Sequence, residues 1–254
     1  MFIYSLLEQF EIIPVFSLVF GLFDFSITNS FFILFFIFLL IFCVLQIIIS
    51  SKDSTLVLIP TIYQYFVEQI YLMISGLIVD NLGTKQGSQF FPLVFSIFFF
   101  IVCLNVIGLI PYSFTLTSHL ILTFAFSFFL FLGINIIAVL LHKLQIFSLF
   151  LPKGTFILLA FLLVPIELIS YISKPISLSI RLFANMMAGH ALLKVIAGFA
   201  ITLMGCQGLY FILHYFVIGL LFPLFLLEFG VALIQSFVFS LLICIYLNDA
   251  INLH

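Results

Sequence analysis

The sequence has very few charged residues. Lys, Arg, Asp and Glu together make up 6% of its 254 residues, and tryptophan is absent. Hydrophobic residues account for 66%, and the mean hydropathy is +1.48. This composition excludes a soluble globular domain and indicates an integral membrane protein. We expect a single all-α, membrane-embedded domain over residues 1–254 that contacts the lipid bilayer and has no nucleic-acid partner.

Several motifs of other protein classes are also missing. The four cysteines stand singly, without CxxC spacing, which argues against a disulfide framework or a metal site: Cys43, Cys103, Cys206 and Cys244. The five histidines are scattered and form no HExxH motif, and no phosphate-binding loop is present. A membrane-embedded hydrolase or metalloenzyme is therefore disfavoured, and we expect no metal and no cofactor. The first charged residues, Glu8, Glu11 and Asp24, are acidic, which argues against a signal or transit peptide.

Long apolar runs predict the membrane helices. Three runs, 31–49, 90–110 and 120–141, match the roughly 20 residues that an upright span requires. Two further helical segments, 155–200 and 209–251, are about twice as long as the hydrocarbon core is thick. Each of these must either break into two pieces or cross the membrane at a steep tilt. Three prolines supply candidate bends: Pro165, Pro175 and Pro223.

Two other segments are mixed in character. Residues 1–30 contain helix-breaking residues, so we expect a segment at the membrane surface. In 61–81, tyrosines and polar residues alternate with apolar ones, which favours an interfacial amphipathic helix over a further span. Residues 83–88 are predicted to form a polar loop.

Lysines indicate the orientation. Two connections carry four of them, Lys52, Lys85, Lys143 and Lys153, whereas the opposite loops, 111–119 and 201–208, contain no lysine or arginine. If 61–81 does not cross, both lysine-bearing connections lie on one side. The positive-inside rule makes this the inner side.

Polar residues are concentrated in the last two segments. Arg181 is the only arginine of the sequence, and it cannot lose its charge by deprotonation. On an ideal helix, Glu167, Arg181 and Asn185 share one face, whereas His190 falls about 180° from Arg181. A charge at mid-membrane depth costs at least about 3 kcal/mol, so it is retained only with a partner or a function.

The final segment carries a second polar stripe. Gln235 lies about 20° and Asp249 about 60° from Glu228 around an ideal helix. Glu167 and Asp249 fall toward the inner side, and His190 and Glu228 toward the outer side. Two titratable sets separated by a fixed positive charge are typical of two offset proton half-paths.

Structural alternatives exist for several of these residues. An ion pair between Glu167 and Arg181 is disfavoured, because 14 residues place them about 21 Å apart on a straight helix. Asn105, Asn135 and Gln46 are typical of hydrogen bonding between helices. A proton-coupled secondary transporter would use the same charges, but it predicts inverted repeats, and residues 31–141 and 155–251 show no such correspondence.

One stretch, SKPISLSIRLFANMMAGH from Ser173 to His190, closely resembles the signature of subunit a of F-type rotary ATP synthases, in its mitochondrial form. The resemblance extends to NVIGLIPYSFTLTSH (Asn105 to His119), to LEQFEI near the start and to LEFGVALIQSFVF in the last segment.

The resemblance implies a role for each matching residue. Arg181 would be the stator arginine that faces the carboxylates of the c-ring. The half-channel toward the intermembrane side would contain His190, Glu228, Asn185 and Gln235. The matrix-side half-channel would contain Glu167 and Asp249, and Asn105 and Ser177 are further candidates for polar lining.

The resemblance also implies a setting. The chain would be a multi-pass protein of the mitochondrial inner membrane, with its two long tilted helices facing the c-ring. Its partners would be the c-ring, the peripheral stalk and other membrane-sector subunits, with dimers of the whole complex. It would be a non-catalytic proton-channel subunit that couples proton flow to ring rotation, and ATP chemistry would belong to partner subunits.

Overall fold

The computed structural model describes residues 10–17, 19–20, 23–50, 62–110, 113–143, 157–205 and 209–252. Most of these residues are helical, in α1 (Asn29–Ser50), α2 (Ile62–Gly108), α3 (Leu120–His142), α4 (Ile157–Met204) and α5 (Leu209–Ile251). Among the described residues, four stretches are long and apolar enough to cross a membrane: Gly87–Gly108, Leu120–His142, Phe161–Met204 and Leu213–Ile251. The predicted all-α integral membrane fold is confirmed.

The segment before α1 contains short β-strands that the sequence analysis did not predict. The strands are β1 (Pro14–Phe16), β2 (Val19–Phe20), β3 (Phe23–Asp24) and β4 (Ile27–Thr28), with β1 antiparallel to β4 and β2 antiparallel to β3. Asn29 ties this segment to α1, because its backbone N–H donates to the Ile13 carbonyl (3.2 Å) and its side-chain amide to the Glu11 carbonyl (3.1 Å). The surface location of 1–30 stays a prediction, and its residues 1–9 lie outside the described residues.

Helix α1 contains the predicted span 31–49. Its 22 residues rise by about 33 Å, and its part from Asn29 to Cys43 is a predominantly apolar helix. Ile37 is fully buried and packs with Cys103, Phe114 and Leu116.

A single glycine divides α2. Gly83 adopts φ 75° and ψ 169°, a conformation that a residue with a Cβ rarely adopts. The predicted polar loop over 83–88 is therefore wrong, since one residue provides the break and the helix resumes after it. The candidate span in α2 begins at Gly87, and the interfacial position of the part before Gly83 stays a prediction.

Helices α4 and α5 continue through their prolines. Helix α4 has 48 residues and contains Pro165 and Pro175, and α5 has 43 residues and contains Pro223. At the standard rise these lengths correspond to about 72 and 65 Å, more than twice the hydrocarbon thickness. The described residues of each segment form one helix, and the steep tilt stays a prediction for both.

The chain divides into two compact units. Unit 1 contains α1, the end of α2 from Phe99, the following loop to His119, α4 from Phe183 and α5 up to Ser236. Unit 2 contains α2 up to Phe98, α3, α4 up to Leu182 and α5 from Phe237.

Apolar contacts and side-chain hydrogen bonds connect the helices inside each unit. In unit 1, Leu109, Met186 and Ala232 form a buried apolar cluster. Beside it, the fully buried Asn105 donates from Nδ2 to the Ala232 carbonyl (3.3 Å). The interhelical role that the sequence favoured for Asn105 agrees with this bond.

In unit 2, α3 is bonded to both long helices. The Ser127 hydroxyl donates to the Pro175 carbonyl of α4 (3.1 Å). Nε2 of His142, at the end of α3, lies 2.8 Å from the Ile251 carbonyl, at the end of α5. A carbonyl oxygen only accepts, so this ring nitrogen carries the proton.

Candidate functional site

The first polar cluster lies in unit 1, where α4 and α5 bring His190 and Glu228 together. Nδ1 of His190 is 3.7 Å from Oε1 of Glu228, and the two side chains are 9% and 6% exposed. An ionisable pair at this depth is costly unless one group stabilises the charge of the other. At 3.7 Å, a small movement would bring the two groups into hydrogen-bonding distance, the geometry that proton transfer requires.

The residue before His190 makes this approach possible. A Cβ at Gly189 would lie 2.7 Å from Oε1 of Glu228 and 2.9 Å from its Cδ. The absence of a side chain at 189 therefore gives the carboxylate its position against α4.

A second pair continues the same cluster. Asn185 donates from Nδ2 to Oε1 of the buried Gln235 (2.9 Å). Four buried atoms of the cluster have no hydrogen-bond partner among the described residues: Nε2 of His190, Oε1 and Oε2 of Glu228, and Nε2 of Gln235. These groups retain donor and acceptor capacity for a proton in transit.

The second polar cluster lies in unit 2, around a cavity of about 250 Å³. Nζ of Lys174 is 2.9 Å from Oδ2 of Asp249 and lies 5.4 and 4.9 Å from the ring centroids of Tyr171 and Tyr246. Glu167 lines the same cavity, and its Oε2 is buried without a hydrogen-bond partner among the described residues. The Tyr171 hydroxyl donates to Oδ1 of Asn135 on α3.

Arg181 belongs to unit 2 and is partly exposed. In the described part of that unit, it forms no ion pair with a carboxylate. The predicted separation of Arg181 from Glu167 agrees with this geometry, since both lie on one uninterrupted helix, 14 residues apart.

The structure brings most of the predicted site residues together. His190 meets Glu228, Asn185 meets Gln235, and Glu167 and Asp249 line one cavity. Ser177, predicted as polar lining, is exposed on α4 and does not line that cavity. In the described portion of the chain, no group of three or more His, Cys, Asp or Glu side chains is close enough to hold a metal ion.

The sequence analysis missed Lys174 and its two tyrosines as site residues. A signal was present for the lysine: positions 167, 174 and 181 are seven apart, and seven residues on an α-helix bring a side chain back to within about 20° of the same direction. Tyr246 had no comparable signal, because it comes from another helix.

The helices and the two clusters define an all-α integral membrane protein with titratable side chains inside its helix packing. A family model described as ATP synthase A chain matches residues 31–248. ATP synthase subunit a of Pylaiella littoralis is 51% identical over 255 residues, which cover 98% of this chain and 99% of that protein. Subunit a of Chondrus crispus is 44% identical, with 98% and 97% covered, and that of Paramagnetospirillum magneticum is 39% identical, with 98% of each covered.

The chain belongs to the ATP synthase A chain family. It therefore has the family's role as the proton-translocating stator subunit of the membrane sector, with the c-ring as its partner. The comparisons give no support to the secondary-transporter alternative.

Proposed function

We propose that the two clusters are the two proton half-paths of this stator. The single observation that carries the proposal is that each unit contains one of the two polar clusters, while Arg181 has no carboxylate partner in the described part of its own unit. The unit 1 cluster, with His190, Glu228, Asn185 and Gln235, would open toward the intermembrane side. The unit 2 cluster, with Glu167 and Asp249, would open toward the matrix, where the lysine-bearing connections are expected.

A proton then follows a defined order of sites. It enters through His190 and Glu228 and neutralises a carboxylate of the c-ring, which can face lipid once it is uncharged. After the ring has turned, the same carboxylate loses its proton near Arg181 to the path that contains Glu167. No covalent bond other than those to the proton is made or broken in this chain.

Arg181 acts through its permanent charge. A guanidinium beside a ring carboxylate favours the ionised form, so it promotes proton release on one side of the contact. The same charge repels a proton that would pass directly from one half-path to the other. Its partial exposure on α4 supports a contact with a group outside this chain.

The cellular setting is part of the proposal. We place the chain in the mitochondrial inner membrane, next to the peripheral stalk and other membrane-sector subunits, in complexes that form dimers. The pairing of a histidine on α4 with a glutamate on α5 resembles the mitochondrial arrangement. Since a relative from Paramagnetospirillum magneticum also matches, detection of the chain in purified mitochondria against plastid and bacterial fractions tests this assignment.

Replacing Arg181 tests the central role. In complexes that carry Arg181→Gln, we expect normal assembly but no ATP-driven proton pumping, and Arg181→Lys should restore it only in part, because an ammonium lacks the planar fork. Lys194→Gln, which removes another cation of α4 outside both clusters, is the matched control and should retain pumping. Normal pumping by Arg181→Gln would refute the assigned role.

Cysteine accessibility tests the two directions. After Cys43, Cys103, Cys206 and Cys244 are replaced by Ala, a cysteine at 167 or 249 should react with a water-soluble thiol reagent supplied from the matrix side. A cysteine at 190 or 228 should react with reagent from the other side, since thiolate formation requires water. Reaction of both sets from a single side would contradict two half-paths.

A further inference from the structure

The two inner-side carboxyl groups have different surroundings. Asp249 is in direct contact with a cation, Nζ of Lys174, at 2.9 Å. The same ammonium lies near the faces of Tyr171 and Tyr246, an arrangement that stabilises a cation from several directions. Lys174 is the less exposed partner, at 25% against 42% for Asp249.

Among the described residues, Glu167 has no such counter-ion. It lines the same cavity, yet its buried Oε2 has no hydrogen-bond partner among the described residues, and the structure gives it no ion pair in the described part of unit 2. An ammonium in contact with a carboxylate cancels its charge and occupies its oxygen, whereas a carboxyl group without a counter-ion keeps its oxygens available to a proton.

We infer that Lys174 and Asp249 form a fixed, overall neutral pair, and that Glu167 is the carboxyl group of this cavity that exchanges protons. Lys174 is then a positioning residue. Its positive charge cancels the negative charge of Asp249, so the pair adds no net charge beside Glu167. This inference rests on the proposed function of the cavity as the inner half-path. It gives different roles to Glu167 and Asp249, which the sequence analysis placed together in that half-path.

Two oppositely charged side chains and two tyrosines lie with Glu167 at this cavity. The titratable groups at the cavity are Lys174 and Tyr171 on α4 and Tyr246 and Asp249 on α5, whereas α3 lines it with Phe131, Ile134 and Ala138. The tyrosines are neutral near pH 7. Arg181 also acts electrostatically on Tyr246, and its charge is the same in every variant described below.

Removing one member of the pair exposes Glu167 to the charge of the other. Asp249→Asn leaves a net positive charge, which favours the carboxylate of Glu167, and Lys174→Met leaves a net negative charge, which favours its protonated form. In inverted membrane vesicles that hold the whole complex, the buffer contacts the inner side, and ATP-driven pumping requires Glu167 to bind a proton from it.

The test is the pumping rate of these vesicles as a function of buffer pH. We expect the pH of half-maximal rate to move down in Asp249→Asn and up in Lys174→Met, each by on the order of 1 unit, and to return to the wild-type value in the double variant. Ser170→Ala, an uncharged change in the same cavity lining, should not move it. Equal or same-sign shifts in the single variants, or no shift, would overturn the inference.

Two further variants cover the case in which a single variant does not assemble and test the proposed inner half-path itself. If a single variant fails to assemble, the exchange of Lys174→Asp with Asp249→Lys keeps the pair neutral and should leave the pH of half-maximal rate at the wild-type value; a shifted value refutes the neutral pair. Glu167→Gln should abolish pumping in both the wild-type and the double-variant background. Normal pumping by Glu167→Gln would overturn the inner half-path itself, whereas a block by Glu167→Gln without opposite shifts would overturn the pair alone.

Discussion

Gly189 of α4 lies directly against the carboxylate of Glu228 of α5, with no room for a Cβ: the added atom would be 2.7 Å from Oε1. The atoms that would have to move are the end of a flexible side chain, so the helices themselves can stay in place. A substitution at 189 should therefore move the Glu228 carboxylate without destabilising the packing around it.

We predict that Gly189→Ala leaves assembly intact but lowers ATP-driven proton pumping by about tenfold or more, because it displaces a carboxylate from the geometry that proton transfer requires. Gly198→Ala is the matched control, since it lies in the same helix with nothing within 4 Å of its added Cβ. It should keep the wild-type rate and stabilise α4 by about 1 kcal/mol. Equal pumping rates in the two variants would contradict the prediction.

His190 and Glu228 should function as a coupled pair. Two coupled groups titrate together, so the exchange His190→Glu with Glu228→His should retain more proton flux than either single substitution by Ala. Proton flux through the assembled complex is the measurement. The pairing would be wrong if the exchange variant conducted no better than the weaker of the two Ala variants.

Gly83 should be intolerant of substitution for a reason of backbone conformation alone. An added Cβ meets nothing within 4 Å, but φ is 75° and ψ 169°, so Gly83→Ala should destabilise the fold by about 1–3 kcal/mol. Gly76→Ala, in the same helix with equally open space and no positive φ, should stabilise it by about 1 kcal/mol. Thermal unfolding of the purified chain in detergent compares them, and similar midpoints for both variants would exclude the strained turn.

The loop before α3 should become less stable in acid. Burial lowers the pKa of His119 below its ordinary value of 6.5, so the unfolded chain binds more protons than the folded one as the pH falls toward and through 6.5. Stability from this group is present above pH 6.5 and is lost on acidification. His119→Gln should therefore reduce the difference in melting temperature between pH 7.5 and pH 5.5, and an unchanged difference would contradict this assignment.

Much of the helical layout could be read from the sequence, because apolar run length determines where a membrane helix begins and ends. The N-terminal strands were missed, since they have only two or three residues each and no clear alternation. The loop expected over 83–88 was wrong because polar residues there do not require irregular backbone once Gly83 supplies the turn.

Only part of the candidate site could be predicted from the sequence. Helical periodicity relates residues of one helix, so it placed Glu167, Arg181 and Asn185 on one face of α4. It could not show which residues of different helices meet, such as Asn185 with Gln235 or Lys174 with Asp249. Those pairs depend on the register of α4 and α5, which hydrophobicity alone leaves open.

The hydrogen bond from His142 to the Ile251 carbonyl fastens the final turn of α5 to α3, and Asp249 lies in that turn. Terminal helical turns open more readily than helix centres, so the orientation of Asp249 depends on how often this turn frays. One side-chain bond, with a net value of about 1 kcal/mol, then sets the fraction of time for which Asp249 faces Lys174. Residue 142 can thus alter the electrostatics of the inner cavity through local fluctuation, although it is not itself one of the residues that line the cavity.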